Sequence, residues 1–284
     1  MELEMEILKN REALSNAPIG VFDSGVGGLT VAREIMRQIP NEKIVYFGDT
    51  ARVPYGSKSK ETVTKYSKQI VRFLKEQHVK AIVAACNTAS AYALDEIERE
   101  LDIPIIGVVK PGAKAAVETT RNGKIGVIGT EGTIGSHIYS TYINEMSQDI
   151  KVLEKACPLF VPLVEEGLWK DPVTDEIAKR YLSALIDSGI DTLILGCTHY
   201  PLIRSTVGKI VGEDVTLVNP AYETAKELKE LLGEEGLLNE AEQGLGSNQY
   251  RFYVSDMADK FRTFANSILK YGILSAKTIN IENY

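Results

Sequence analysis

A chain of 284 residues, 44% hydrophobic and 25% charged, is long enough for two compact domains and has the composition of a folded protein. Its net charge of −7 argues against a nucleic-acid-binding surface. No apolar run approaches the roughly 20 residues needed to span a membrane. Three widely spaced cysteines make no disulfide framework, and Met1 to Ala17 is charged and mixed, without the apolar core of a secretion signal. These features point to free thiols in a reducing cytoplasm.

Met1 to Ala17 is expected to be a short extra helix or a frayed arm. Ile19 to Phe22 reads as a strand, followed by the loop Asp23-Ser24-Gly25-Val26-Gly27-Gly28 and a helix to about Gln38. Lys43 to Gly48 is a second strand, running into Asp49-Thr50-Ala51-Arg52-Val53-Pro54-Tyr55-Gly56, a loop with turn chemistry at its end. Val63, Tyr66, Ile70, Phe73 and Leu74 fall at helical spacing, so Glu61 to Gln77 is an amphipathic helix. The apolar run from Ala81 is a buried strand that stops at Cys86, with Asn87 a candidate N-cap and a helical pattern from Ala89 to Leu101. Pro104 to Val108 is a short strand. At Lys110-Pro111-Gly112 the chain is expected to cross between domains, because a residue before proline avoids helix.

Lys124 to Ile128 opens the second half. Asp171-Pro172 looks like an N-cap and first-turn proline for a helix ending at Gly189. Asp191 to Gly196 is the strand that leads to Cys197, and Val215 to Val218 is another. Asn219-Pro220 marks the return crossing. Gly233 to Asn248, acidic and glycine-rich, reads as a surface loop. Tyr250 to Val254 reads as a strand, and Phe261, Phe264 and Ile268 as one helix face. Strands alternating with helices imply an α/β fold of two similar, doubly wound and largely parallel-sheet domains. The first would comprise residues 1–110 and 220–284, and the second 111–219.

The two halves echo each other. Gly20-Val21-Phe22-Asp23-Ser24-Gly25 resembles Gly126-Val127-Ile128-Gly129-Thr130-Glu131, and the Cys86 loop resembles the Cys197 loop. Ser24 precedes Cys86 by 62 positions and Thr130 precedes Cys197 by 67. Each half thus offers one hydroxyl and one thiol to a shared cleft, at strand ends where open α/β sheets bind ligands. One cysteine at a strand end is accounted for equally well as a small core residue. Two in matched polar loops are not, whereas Cys157 lacks such neighbours and reads as core. A helix N-terminus favours thiolate over thiol. His199, two residues beyond Cys197, can hold that thiol ionised or accept its proton. Asp23 and Asp49 end strands, where carboxylates tune nearby acid–base groups.

Zinc-site spacings are absent around these cysteines, so no metal is expected. The glycine-rich loop fails the dinucleotide pattern, since the third glycine would fall at Thr30. It can still hold a small carboxylate. The most economical chemistry for two opposed thiols is inversion of the α-carbon of a small carboxylate substrate, one thiolate removing a proton and the other thiol supplying one from behind.

These residues resemble bacterial glutamate racemases. The resemblance runs from about Pro18 past Phe264 and is carried by the loops after Ile19–Phe22 and Lys43–Gly48, by Cys86-Asn87-Thr88 and by Gly196-Cys197-Thr198-His199-Tyr200-Pro201. The cysteine loops are shared with aspartate racemases, and the first two motifs point to glutamate. The resemblance implies cofactor-independent interconversion of L- and D-glutamate, with D-glutamate supplied for peptidoglycan and so for cell shape. By motif, Cys86 would act on the D-enantiomer and Cys197 on the L-enantiomer. Asp23-Ser24, Tyr55-Gly56, Asn87-Thr88, Thr130 and Thr198-His199 would contact substrate. Asp23, Asp49, Glu165 and His199 would support the thiols, with Glu166 a competing choice beside Glu165. A homodimer is expected, with L- or D-glutamate as ligand. The arm before Ile19 is longer than in the shortest members and shorter than the extension of precursor-activated ones. Lys110 stands where many members carry an acidic or apolar residue.

Three other readings compete: an aspartate racemase, separable by its side-chain pocket; a glutamate-binding regulatory protein, which would not need both thiols; and a redox protein, which would need neighbouring cysteines.

Overall fold

The computed structural model describes residues 12–240, 249–269, 272–273 and 275–284. Ten strands are described: β1 (Ile19–Asp23), β2 (Ile44–Gly48), β3 (Ala81–Ala84), β4 (Ile105–Gly107), β5 (Lys124–Gly129), β6 (Lys151–Ala156), β7 (Thr192–Gly196), β8 (Thr216–Val218), β9 (Tyr250–Val254) and β10 (Lys277–Thr278). They form a six-stranded sheet of order β10-β9-β2-β1-β3-β4 and a four-stranded sheet of order β6-β5-β7-β8. Every pairing is parallel. The segment β2-β1-β3-β4 of the first sheet has the same strand order as the whole second sheet, so the sequence echo is matched by topology.

The central strands read as apolar runs because both faces are covered. Along β1, Ile19 and Val21 enter one core and Phe22 the opposite one. In β2, Ile44 and Tyr46 alternate with Val45 and Phe47 in the same way. The second sheet divides likewise, with Ile125 and Val127 of β5 on one side and Leu193 and Leu195 of β7 on the other.

Helices cover these faces: α1 (Leu29–Gln38), α2 (Lys60–Glu76), α3 (Asn87–Glu98), α4 (Val109–Thr119), α5 (Glu131–Gly135), α6 (Ile138–Met146), α7 (Phe160–Glu165), α8 (Pro172–Asp187), α9 (Arg204–Val211), α10 (Pro220–Glu234) and α11 (Ala258–Ile268). Asp171 caps α8 by accepting from Val173 N at 2.9 Å, with Pro172 in the first turn as expected. Asn219 caps α10 in the same manner.

Three local expectations are corrected. Pro111 does not exclude helix: it lies in the first turn of α4, where its missing N–H would have had no helical partner. Asn87 is not the N-cap of α3. Cys86 holds that position, and the Asn87 side chain bonds elsewhere. Gly233 belongs to α10, so the expected loop starts later, and residues 241–248 lie outside the described residues. Of the expected N-terminal arm, residues 12–15 are helical and 1–11 lie outside the described residues. No helix among the described residues is long and apolar enough to cross a membrane.

Candidate active site

Five loops meet between the C-terminal ends of the two sheets: those after β1, β2 and β3 from the first, and those after β5 and β7 from the second. Thr30 Oγ1 donates to the carbonyl of Thr198 at 2.9 Å, joining the start of α1 to the Cys197 loop. Thr198 Oγ1 reaches Asp23 Oδ1 at 3.5 Å. Gly27 is required by this approach, since a Cβ there would overlap Thr198 Oγ1 and His199 Nδ1. Gly56 is constrained similarly, as a Cβ would lie 2.5 Å from Thr130 Cβ.

Cys86 and Cys197 are both nearly buried, at 7% and 6% exposed. The Cys86 thiol faces Ser24 Oγ at 3.8 Å. Burial pushes it up to about 12, and the negative charges of Asp23 and Cys197 act in the same direction. Cys197 Sγ lies 3.8 Å from His199 Nδ1, and His199 Nε2 lies 3.0 Å from Glu165 Oε1. Burial alone would lower the pKa of His199. Its hydrogen bonds and charge interactions with Cys197 and Glu165 outweigh burial and raise it to about 10. Burial likewise pushes Glu165 up, and the His199 hydrogen bond and charge overcome it, leaving the carboxylate below its ordinary range. Glu165 rather than Glu166 is the acid that meets His199; Glu166 is the exposed residue that ends α7. At neutral pH this arrangement holds His199 as an imidazolium between the Glu165 carboxylate and the Cys197 sulfur.

Asp23 is fully buried. Burial raises its carboxyl above the ordinary range, opposed by the charge of His199 and by the N–H groups of Gly28 and Gly25. Asp49 is held by its own loop and by a distant one: Oδ2 accepts from the Tyr55 hydroxyl, and from Arg52 Nε at 2.7 Å, while Oδ1 accepts from Ser255 Oγ at 2.8 Å. It thereby sets the loop that carries Tyr55 and Gly56. Thr88, Thr130 and Thr133 form a triangle of hydroxyls, with sides of 2.9, 3.1 and 3.1 Å, that joins the Cys86 helix to the loop after β5. Cys157 stands apart in the core of the second sheet, with burial pushing its thiol up to about 12.

Sequence reasoning missed Thr133, Arg52, Ser255 and Tyr139. Thr133 had a local signal, three residues after Thr130 at the opening of a helix. Arg52 sits three residues after Asp49 in the same loop, whereas Tyr139 and Ser255 are joined to the site by tertiary contacts, Ser255 from beyond β9. Among the described residues, no three His, Cys, Asp or Glu side chains converge in a way that could hold a metal ion.

Residues 19–228 match the family model for Asp/Glu/Hydantoin racemase. A glutamate racemase of Geobacter metallireducens is 50% identical over 252 residues, covering 88% of this chain and 92% of that protein. The chain belongs to this family, among its glutamate racemases. Solved structures of two glutamate racemases superpose closely on this racemase. Isoform RacE1 from Bacillus anthracis gives a TM-score of 0.89 at 44% identity, covering 93% of this chain and 98% of that one. The Francisella tularensis enzyme, in complex with D-glutamate, gives 0.88 at 42% identity, covering 95% of this chain and all of that one.

Proposed function

We propose that this racemase interconverts L- and D-glutamate by two-base proton transfer at the α-carbon, using only its own side chains. From L-glutamate, the Cys197 thiolate takes the α-proton and becomes a thiol, leaving the electron pair on carbon. Cys86 then delivers its thiol proton to the opposite face and becomes the thiolate. From D-glutamate the roles reverse. Asp23-Ser24, Tyr55-Gly56, Asn87-Thr88, Thr130 and Thr198-His199 contact the substrate, and hydroxyl and N–H donors receive its two carboxylates. Asp23, Glu165 and His199 support the thiols, and Asp49 acts through the Tyr55 loop. The domains divide near 110 and 219, so that one thiol comes from each side of the cleft. The reading places the enzyme in the cytoplasm as a homodimer whose product serves peptidoglycan and cell shape.

The observation that carries this reading is the pair of cysteines at equivalent strand ends of β2-β1-β3-β4 and β6-β5-β7-β8, which share one strand order, with Cys197 3.8 Å from His199 Nδ1 and Cys86 3.8 Å from Ser24 Oγ. The test is isotopic. L-Glutamate with ordinary hydrogen at the α-carbon is converted in heavy water and analysed by mass spectrometry at low conversion. The thiol at Cys86 has exchanged with solvent, so the earliest D-glutamate should be almost fully deuterated, while recovered L-glutamate stays largely protiated. Substantial protium in the earliest D-glutamate would mean one base serves both faces, and the two-thiol mechanism would fail.

A further inference from the structure

Tyr139 lies in the first turn of α6, among the helices of the second sheet, and is fully buried. Its ring backs the end of β7: a Cβ on Gly196, the residue before Cys197, would lie 3.2 Å from the ring. Its hydroxyl donates to Asn87 Oδ1 at 2.7 Å, and Asn87 directly follows Cys86. One side chain therefore connects the surroundings of both cysteines.

The direction of this hydrogen bond decides what Asn87 can do. Burial, together with the charge of Cys197, holds Tyr139 far above the ordinary phenol range, so it remains an O–H donor at any working pH. A buried hydroxyl must place its proton on an acceptor, and among the described residues the acceptor is Asn87 Oδ1. An amide has one acceptor end and one donor end. With the acceptor end occupied, the amide cannot flip without stranding the phenol proton. Asn87 is only 4% exposed, and the bond from Tyr139 occupies its oxygen and neither of its N–H groups. The two N–H donors are left for a ligand.

We infer that Tyr139 is a positioning residue that fixes Asn87 with its N–H donors, and not its carbonyl, facing a carboxylate of the substrate. The inference rests on the proposed contact between Asn87 and glutamate. Its consequence is confined to binding: a reversed amide would present a carbonyl dipole to a carboxylate, while both thiols would stay where they are.

The test is a double-mutant cycle in the full-length enzyme, with KM and kcat measured from both enantiomers and folding followed by circular dichroism. Tyr139→Phe should raise KM roughly 10-fold, the weight of one hydrogen bond to a charged group, with kcat changed less than about threefold. In an Asn87→Ala background the same substitution should change KM by less than about twofold. An equal rise in both backgrounds, or a fall in kcat at constant KM, would show Tyr139 acting by another route and overturn the proposal. An unchanged KM for Asn87→Ala alone would overturn the substrate contact itself, and the proposal with it. Should Tyr139→Phe fail to fold, Asn87→Asp carries the test, because it keeps the acceptor Tyr139 uses and loses the donors. KM should then rise at least as much as for Asn87→Ala, and a retained wild-type KM overturns the assignment.

Discussion

Cys86 and Cys197 occupy equivalent strand ends but meet different neighbours. Cys197 has His199 and Glu165; Cys86 has Ser24, with Asp23 adding negative charge. Cys86→Ser and Cys197→Ser should each lower racemisation at least about 100-fold, the low end for a positioned acid or base. Cys157→Ser should be nearly silent, and a folded Cys157→Ser protein without activity would reverse this assignment. His199 supplies a pH signature. Its pKa is raised from 6.5 to about 10 on folding, so the folded state binds this proton more tightly. The stability it contributes is complete below 6.5, is lost as pH rises through about 10, and is absent above. Denaturation of the wild type and of His199→Asn should therefore differ most near pH 6 and converge toward pH 10. A difference that grows with pH would contradict an imidazolium here. Because L- and D-glutamate are mirror images of equal free energy, kcat/KM must be identical in the two directions for every variant at every pH.

At the scale of elements, the glycine-rich loop serves close approach. Gly27→Ala puts a methyl against Thr198 and His199, both buried and unable to withdraw freely. The variant should keep its fold, measured by circular dichroism, while kcat/KM falls about 10-fold or more through displacement of His199. Wild-type activity would show that the loop has slack the packing denies. The elements legible in the sequence were those whose local pattern agrees with their burial. The strands β1, β3 and β7 are apolar runs bounded by turn residues, and Asp171-Pro172 starts α8 where cap chemistry puts it. β6 was not legible, because Lys151–Ala156 is a partly exposed edge strand with neither a continuous apolar run nor clean alternation. Asn87 was misread as a cap because its preference for that position yields to Tyr139, 52 residues away in sequence. The cysteines, Asp23 and His199 could be found because the chain repeats itself. Tyr139 and Ser255 have no repeat and no motif of their own, and Arg52 sits in a motif whose residues do not announce its ion pair with Asp49.

Across the whole molecule, distant segments are tied by a buried ion pair on the first sheet's far side. Lys80 Nζ lies 2.6 Å from Glu42 Oε2, with side chains 0% and 1% exposed, and also donates to the carbonyls of Ser15 at 2.6 Å and Leu237 at 2.8 Å. Glu42 Oε1 accepts from Asn239 N at 2.8 Å. Burial pushes Glu42 up and Lys80 down, so each depends on the other for its charge. Lys80→Met leaves a buried carboxylate without its cation and should cost about 3–5 kcal/mol of stability. Adding Glu42→Leu to it should restore part of that loss, as urea unfolding will measure. A single variant as stable as wild type would show the pair to be dispensable.

In the proposed two-thiol mechanism, each turnover leaves the enzyme with a memory of it. After L-glutamate has become D-glutamate, the proton sits on Cys197 and the negative charge on Cys86. That form is ready for the D-enantiomer and mismatched to the next L-enantiomer. Like any site with two bases that each keep the proton they took, it must reset by exchanging protons with water. At low substrate the reset goes unnoticed. At high substrate of one hand, turnover waits on it, so net conversion slows while tracer exchange between the two enantiomers, which needs no reset, continues.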